Sequence, residues 1–109
     1  MKQTLPRKYR LTKKLEIDRL YHQGKLVVQP KVSARVMAGE RSRLGIAVGR
    51  KYGGSSVRNR FKRQVRAVFR QRREQLAGVD ILVAVRPGKG LAGYQEIQLL
   101  FNEIIERHW

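Results

Sequence analysis

Apolar and polar positions along this chain alternate with two different periods, and the switches between them mark the elements. Val32, Ala34, Val36 and Ala38 alternate with Ser33, Arg35 and Met37, the period of a strand with one buried face. After a turn over residues 39–42, Leu44, Ile46 and Val48 share one face of a second strand. Gly45, Ala47 and Gly49 leave its other face nearly bare, open to close approach by a helix or a nucleic-acid strand. Residues 25–29 are also strand-prone, and Pro30 sets them at an edge or bend. Residues 80–86 enclose a continuous apolar run, Ile81 to Val85, expected to be a central strand covered on both faces.

Helical spacing takes over elsewhere. Val57, Phe61, Val65 and Val68 recur every three or four residues with Phe69 beside them, in a helix that starts in the Gly-Gly-Ser-Ser stretch at 53–56. It is expected to reach about residue 76, with Gly78 as its C-terminal stop. Ile97, Leu100, Phe101, Ile104 and Ile105 predict a last helix over about 94–108. Near the start, Thr12 is a candidate cap for a short helix to about Tyr21, with Leu11, Ile17, Leu20 and Tyr21 near one face and Gly24 ending it. Residues 1–10 are polar and basic and read as a flexible arm. The order is α-β-β-β-α-β-α: an α+β, two-layer sandwich.

The length of 109 residues suits a single domain. Charge changes the picture more than length does. There are 25 Lys and Arg against 8 Asp and Glu, a net +17, and a stable fold gains nothing from that repulsion. A polyanion partner accounts for it. No apolar run approaches a membrane span, no secretory pattern follows the basic start, and there is no cysteine. By charge alone RNA, DNA or an anionic membrane could be the polyanion, but the membrane reading is weak, and these features together point to a soluble, cytoplasmic protein.

The charge is concentrated. Residues 41–73 hold twelve Lys or Arg and no acid. In the helix carrying the Val57–Phe69 stripe, Lys62, Arg63, Arg66, Arg70 and Arg73 cluster opposite that stripe, Arg58 borders it, Asn59 lies over the basic face and Arg60 flanks the far side. A solvated helix face normally mixes signs. Here the i,i+4 pairs are like-charged (Arg58 with Lys62, Lys62 with Arg66, Arg66 with Arg70), each costing on the order of a few tenths of a kcal/mol. Arg58 and Arg60 also lie near the positive end of the helix dipole. Local rules broken together at one place mark a functional surface, and phosphate binding is the function that fits. Arginine offers a planar fork for phosphate and stacks on bases. Asn59 can reach base edges or 2′-hydroxyls.

The segment Val57-Arg58-Asn59-Arg60-Phe61-Lys62-Arg63, followed by Arg66 and Phe69, resembles the arginine-rich signature of the bacterial ribonuclease P protein family. The flanks are similar too: Arg43-Leu44-Gly45-Ile46-Ala47-Val48 with Arg50-Lys51 and Gly53, the pair Arg10-Leu11 before a helix ending at Tyr21 and Gly24, and the strand at 80–86. The resemblance spans about residues 10–105. It implies a four-stranded sheet with three helices and a left-handed crossover onto the basic helix. It implies assistance to a catalytic RNA that removes the 5′ leader of precursor tRNA with magnesium, the Mg2+ being bound mainly by that RNA. The partners implied are the ribonuclease P RNA and precursor tRNA, with no protein partner required. RNA-subunit contacts would come from Arg58, Asn59, Arg60, Lys62, Arg63, Arg66 and Arg70. Leader contacts would come from Ile17, Tyr21, Arg35 and Lys51, where Ile17 and Arg35 stand at positions that are aromatic in the family. Read without the resemblance, Tyr21 suits a core or a stacking role equally.

No catalytic residues and no metal site of the protein's own are expected. His22 and His108 lie near opposite ends, the acids are scattered, and Glu103 and Glu106 fit a solvated helix face. The alternative readings are a ribosomal or other structural RNA-binding protein with no associated reaction, and a free-standing nuclease.

Overall fold

The computed structural model describes residues 5–107. The elements are α1 (Lys14–Gln23), β1 (Lys25–Val28), β2 (Val32–Ala38), β3 (Arg43–Ala47), α2 (Ser55–Gln71), β4 (Val79–Val85) and α3 (Tyr94–Glu106), in the expected order. The strands form one mixed sheet, β1-β2-β4-β3. β1 with β2 and β2 with β4 are antiparallel, whereas β3 and β4 run parallel.

Strand periodicity gives the sheet two unlike faces. Val27, Ala34, Val83 and Ile46 are in register across all four strands and face α2 and α3. Phe61, Val65, Val68 and Phe69 of α2 and Ile97, Leu100, Phe101 and Ile104 of α3 complete this core, the two predicted stripes meeting over one layer of strands. Phe61, Phe69 and Phe101 are fully buried, each contributing about 2–3 kcal/mol by transfer from water. On the other face α1 packs against β2 and β4, through a small cluster in which Leu20 of the helix meets Leu82 and the preceding Leu11, with Ile17 and Met37 at its margin.

The hand of the β3–α2–β4 connection follows from the hydrogen bonds. The Gly39 N–H donates to the Gly78 carbonyl and the Arg86 N–H to the Lys31 carbonyl, continuing the β2–β4 register, so even positions of β4 bond to β2. The N–H and C=O groups of Ile81 and Val83 therefore point at β3, while their side chains face α2. For L-residues seen from the side-chain side with the strand running up, those groups point right. From α2, then, β3 lies to the right of β4, and the chain crosses leftward in front of the sheet. This is a left-handed crossover, as the resemblance implied, in place of the right-handed one found in about 98% of such units.

The structure corrects several boundaries. Residues 5–10 are not a free arm: Leu5 is 1% exposed in the main core, residues Arg7–Tyr9 form a short 3-10 turn, and Arg10 makes a parallel bridge to Leu44 on the outer edge of β3. Residues 1–4 of the expected arm, and His108 at the expected end of the last helix, lie outside the described residues. Thr12 does not cap α1, whose N-cap is Lys13. The Leu11 N–H is already donated to the Leu44 carbonyl at 2.8 Å, so this backbone belongs to the sheet edge. α2 ends at Gln71, five residues early, and a 3-10 turn over Arg73–Leu76 returns Leu76 to the core. Gly78 then reverses the chain with φ +78°, a conformation that glycine adopts without penalty. Gly45 is not bare, because Leu11 covers it: a Cβ there would lie 3.3 Å from the Leu11 Cβ. The strand expected to be covered on both faces is so only from Val79 to Val83, and it opens at Ala84.

Candidate nucleic-acid interface

The stripe that anchors α2 decides where its charges go. With Phe61, Val65 and Val68 against the sheet, Asn59, Arg60, Arg63 and Arg70 are exposed, and Arg58, Lys62 and Arg66 are half-buried at the margins. None of the seven has a carboxylate partner among the described residues. No side chain caps the first turn, whose N-cap is Gly54. Arg58 folds back there, its Nε donating to the Gly53 carbonyl at 3.2 Å. Gly53 must lack a side chain, since a Cβ would lie 2.9 Å from the Val57 side chain.

Two cations of the basic stretch serve the fold instead. Arg43 pairs with Asp80 of β4 at 3.0 Å and with Glu16 of α1, tying that helix to the sheet. The hydrogen bond to Asp80 is the main reason that its guanidinium is held above its ordinary pKa. Arg72 donates to the Asn102 side chain, linking the end of α2 to α3. Arg73, expected on the basic face, sits in the 3-10 turn with its guanidinium 3.8 Å from the centre of the Tyr9 ring.

The second candidate surface is the open sheet face beside α1. Leu26, Arg35, Leu82 and Gly45 form one row across the sheet, partly under α1. The next row, Val28, Ser33, Ala84 and Ala47, lies in register beside it, and all four of its members are partly or well exposed. These small side chains make a shallow floor. Tyr21 stands at its β2 side, 58% exposed, with the Arg35 guanidinium 5.3 Å from its ring centre. Arg35 also reaches the Gly24 carbonyl at 3.5 Å. Ile17 lies at the margin of the α1 cluster. Lys51 stands apart from these three, exposed on the 3-10 turn Arg50–Tyr52 that follows β3. It lines a groove with Ala47, Val48, Tyr52, Ala84, Arg86 and Leu91, so the floor continues past the strand ends toward Lys51 and Arg86.

The basic helix and the corners of this cleft are legible in the sequence, and most of the floor is not. Ala47 was legible as part of a bare face. Val28, Ser33 and Ala84 were not, because only the strand register places them in one row. Among the described residues no group of three or more His, Cys, Asp or Glu comes together that could hold a metal ion by itself. The neighbouring acids Glu16 and Asp80 are both engaged by Arg43. No described helix is long and apolar enough to cross a membrane.

Comparison with known proteins agrees with the fold. The family model described as Ribonuclease P matches residues 5–109. The ribonuclease P protein component of Chlamydia trachomatis is 35% identical over 86 residues, covering 76% of this chain and 72% of its own. That of Thioalkalivibrio sulfidiphilus is 32% identical over 110 residues, covering 98% and 88%. Among solved structures, the RNase P protein of Staphylococcus aureus superposes with a TM-score of 0.78 at 25% identity, covering 91% of this chain and 94% of its own. The protein from Thermotoga maritima gives 0.77 at 25%, covering 92% and 97%.

Proposed function

The chain belongs to the ribonuclease P protein family, and from that premise we propose that it binds the catalytic RNA of ribonuclease P and the 5′ leader of precursor tRNA, assisting magnesium-dependent removal of the leader in the cytoplasm. In this reading the RNA subunit carries the active site and the magnesium ions, and the protein supplies binding and positioning. The observation that carries it is the face of α2, where, among the described residues, Arg58, Arg60, Lys62, Arg63, Arg66 and Arg70 have no carboxylate to neutralise their charge, and Asn59 stands with them. A phosphate backbone supplies that charge, and binding releases counterions. Arginine and asparagine add hydrogen bonds that plain charge lacks.

The cleft is the surface that suits a single strand. It combines an exposed aromatic ring, a floor of small side chains and cations at both ends, the combination on which unpaired nucleotides are held. Arg35 supports a mixed mode. One side chain covers the Tyr21 ring by cation–π attraction and keeps N–H groups for a phosphate, so charge contact replaces part of the stacking there. A structural RNA-binding protein without an associated reaction would share the charge, but the match to the ribonuclease P family sets that alternative aside.

Reconstitution tests the proposal. Mixed with a ribonuclease P RNA and precursor tRNA at low magnesium, the protein accelerates leader removal over RNA alone, and the protein by itself leaves precursor tRNA intact. Equal rates with and without protein would sink the proposal, and cleavage by the protein alone would revive the nuclease reading.

A further inference from the structure

The N-terminal segment adds positive charge where the fold already has an excess. Leu5 is buried in the core and the Leu11 N–H is bonded to β3, so residues 5–11 are held at both ends. This places Arg10 near Arg66, and Tyr9 beneath Arg73 at 3.8 Å with the Lys8 Nζ 5.1 Å from the same ring centre. Lys8 and Arg73 thus share the ring of one tyrosine, and Arg10, the next residue along, lies near Arg66 of α2. No carboxylate lies within ion-pair distance of any of them among the described residues. Arg66 is half-buried, and that burial, with the nearby Arg10 charge, lowers its pKa. Arg10 is also tied in place: its Nε donates to the Leu5 carbonyl at 2.8 Å, which leaves the N–H groups of its two terminal nitrogens for other partners. Neighbouring guanidinium groups with no acid within ion-pair distance among the described residues suit a tetrahedral oxyanion, which each can bind through parallel N–H bonds.

We propose that Arg10 and Arg66, with Lys8 and Arg73 around Tyr9, hold a backbone phosphate of the RNA subunit. The RNA-binding surface is then a two-walled strip, with the N-terminal segment as one wall and α2 as the other. The proposal rests on the reading that α2 binds the RNA subunit, and it extends that contact beyond the helix to residues that no helical pattern could mark.

Two measurements test it. The first is titration of the unaltered, 15N-labelled protein with sodium phosphate, following the arginine Nε–Hε signals. Those of Arg10 and Arg66 shift saturably and further than those of exposed Arg63 and Arg70. Small, uniform shifts in all four overturn the site. The second compares an Arg10→Gln/Arg66→Gln variant with an Arg58→Gln/Arg63→Gln variant in binding the RNA subunit over a range of salt. Both are expected to bind several-fold more weakly, and each lost phosphate contact lowers the salt slope by about one. If only the Arg58/Arg63 variant weakens, the α2 reading stands and the second wall is wrong. A loss by the Arg10/Arg66 variant confined to precursor tRNA assigns the phosphate to the tRNA and overturns the proposal. Unchanged slopes for both variants remove the α2 reading and this site with it.

Discussion

The two faces of the sheet are built from the same strands and held in different ways. Toward α2 and α3, every strand contributes to one apolar core that includes three fully buried phenylalanines. Toward α1, three buried leucines and an ion bridge through Arg43 hold one short helix, and the rest of the face stays open. One face thus carries the stability and leaves the other free to be shallow, polar in places and accessible. A protein of this size has little apolar surface to spare, and dividing the labour by face lets a small core support a wide binding surface.

The largest effect should come from the closed face. Phe101→Ala removes a ring packed against Phe69 and is expected to cost about 3–5 kcal/mol, seen in urea or thermal unfolding. A cost below about 1 kcal/mol would mean that the core is looser than its burial indicates. Tyr21→Ala on the open face should leave stability within about 0.5 kcal/mol. It should weaken precursor tRNA binding by about 1–3 kcal/mol while mature tRNA binding holds. Equal losses for the two tRNAs would take Tyr21 out of the leader site. The smallest effect is expected at the join. Glu16→Gln breaks one arm of the Arg43 bridge and should cost about 0.2–1 kcal/mol at low salt, fading as salt is raised. A salt-independent loss would show that Glu16 holds α1 by packing.

What the sequence revealed follows the same division. The alternation at Val32–Ala38 and the stripes from Phe61 to Phe69 and from Ile97 to Ile104 were legible, because a closed core imposes a period on every element facing it. The charge of α2 was legible because it breaks helix rules that a solvated face obeys. The open side left weaker marks. Leu5 stands alone among polar and basic residues and makes no pattern, so its burial could not be read. Leu11 fits a helical face by spacing, yet its N–H is bonded to β3. Ala84 is as apolar as its neighbours, and only the fold shows that it stands partly exposed in a row with Ser33 and Ala47.

The pairing of Arg10 and Leu11 with Leu44 also bears on the order in which the chain assembles. Residues 5–11 leave the ribosome before anything they dock on. Their seats are β3, the far half of α2 and a core that includes Leu76, all made later. Contacts so distant in sequence close late, since loop entropy must be overcome first. β3 itself gains its inner neighbour only when β4 arrives through the left-handed crossover. The segment that closes the edge of β3 is thus made early and fastened among the last, and until it docks that edge keeps exposed N–H and C=O groups on which another chain could template.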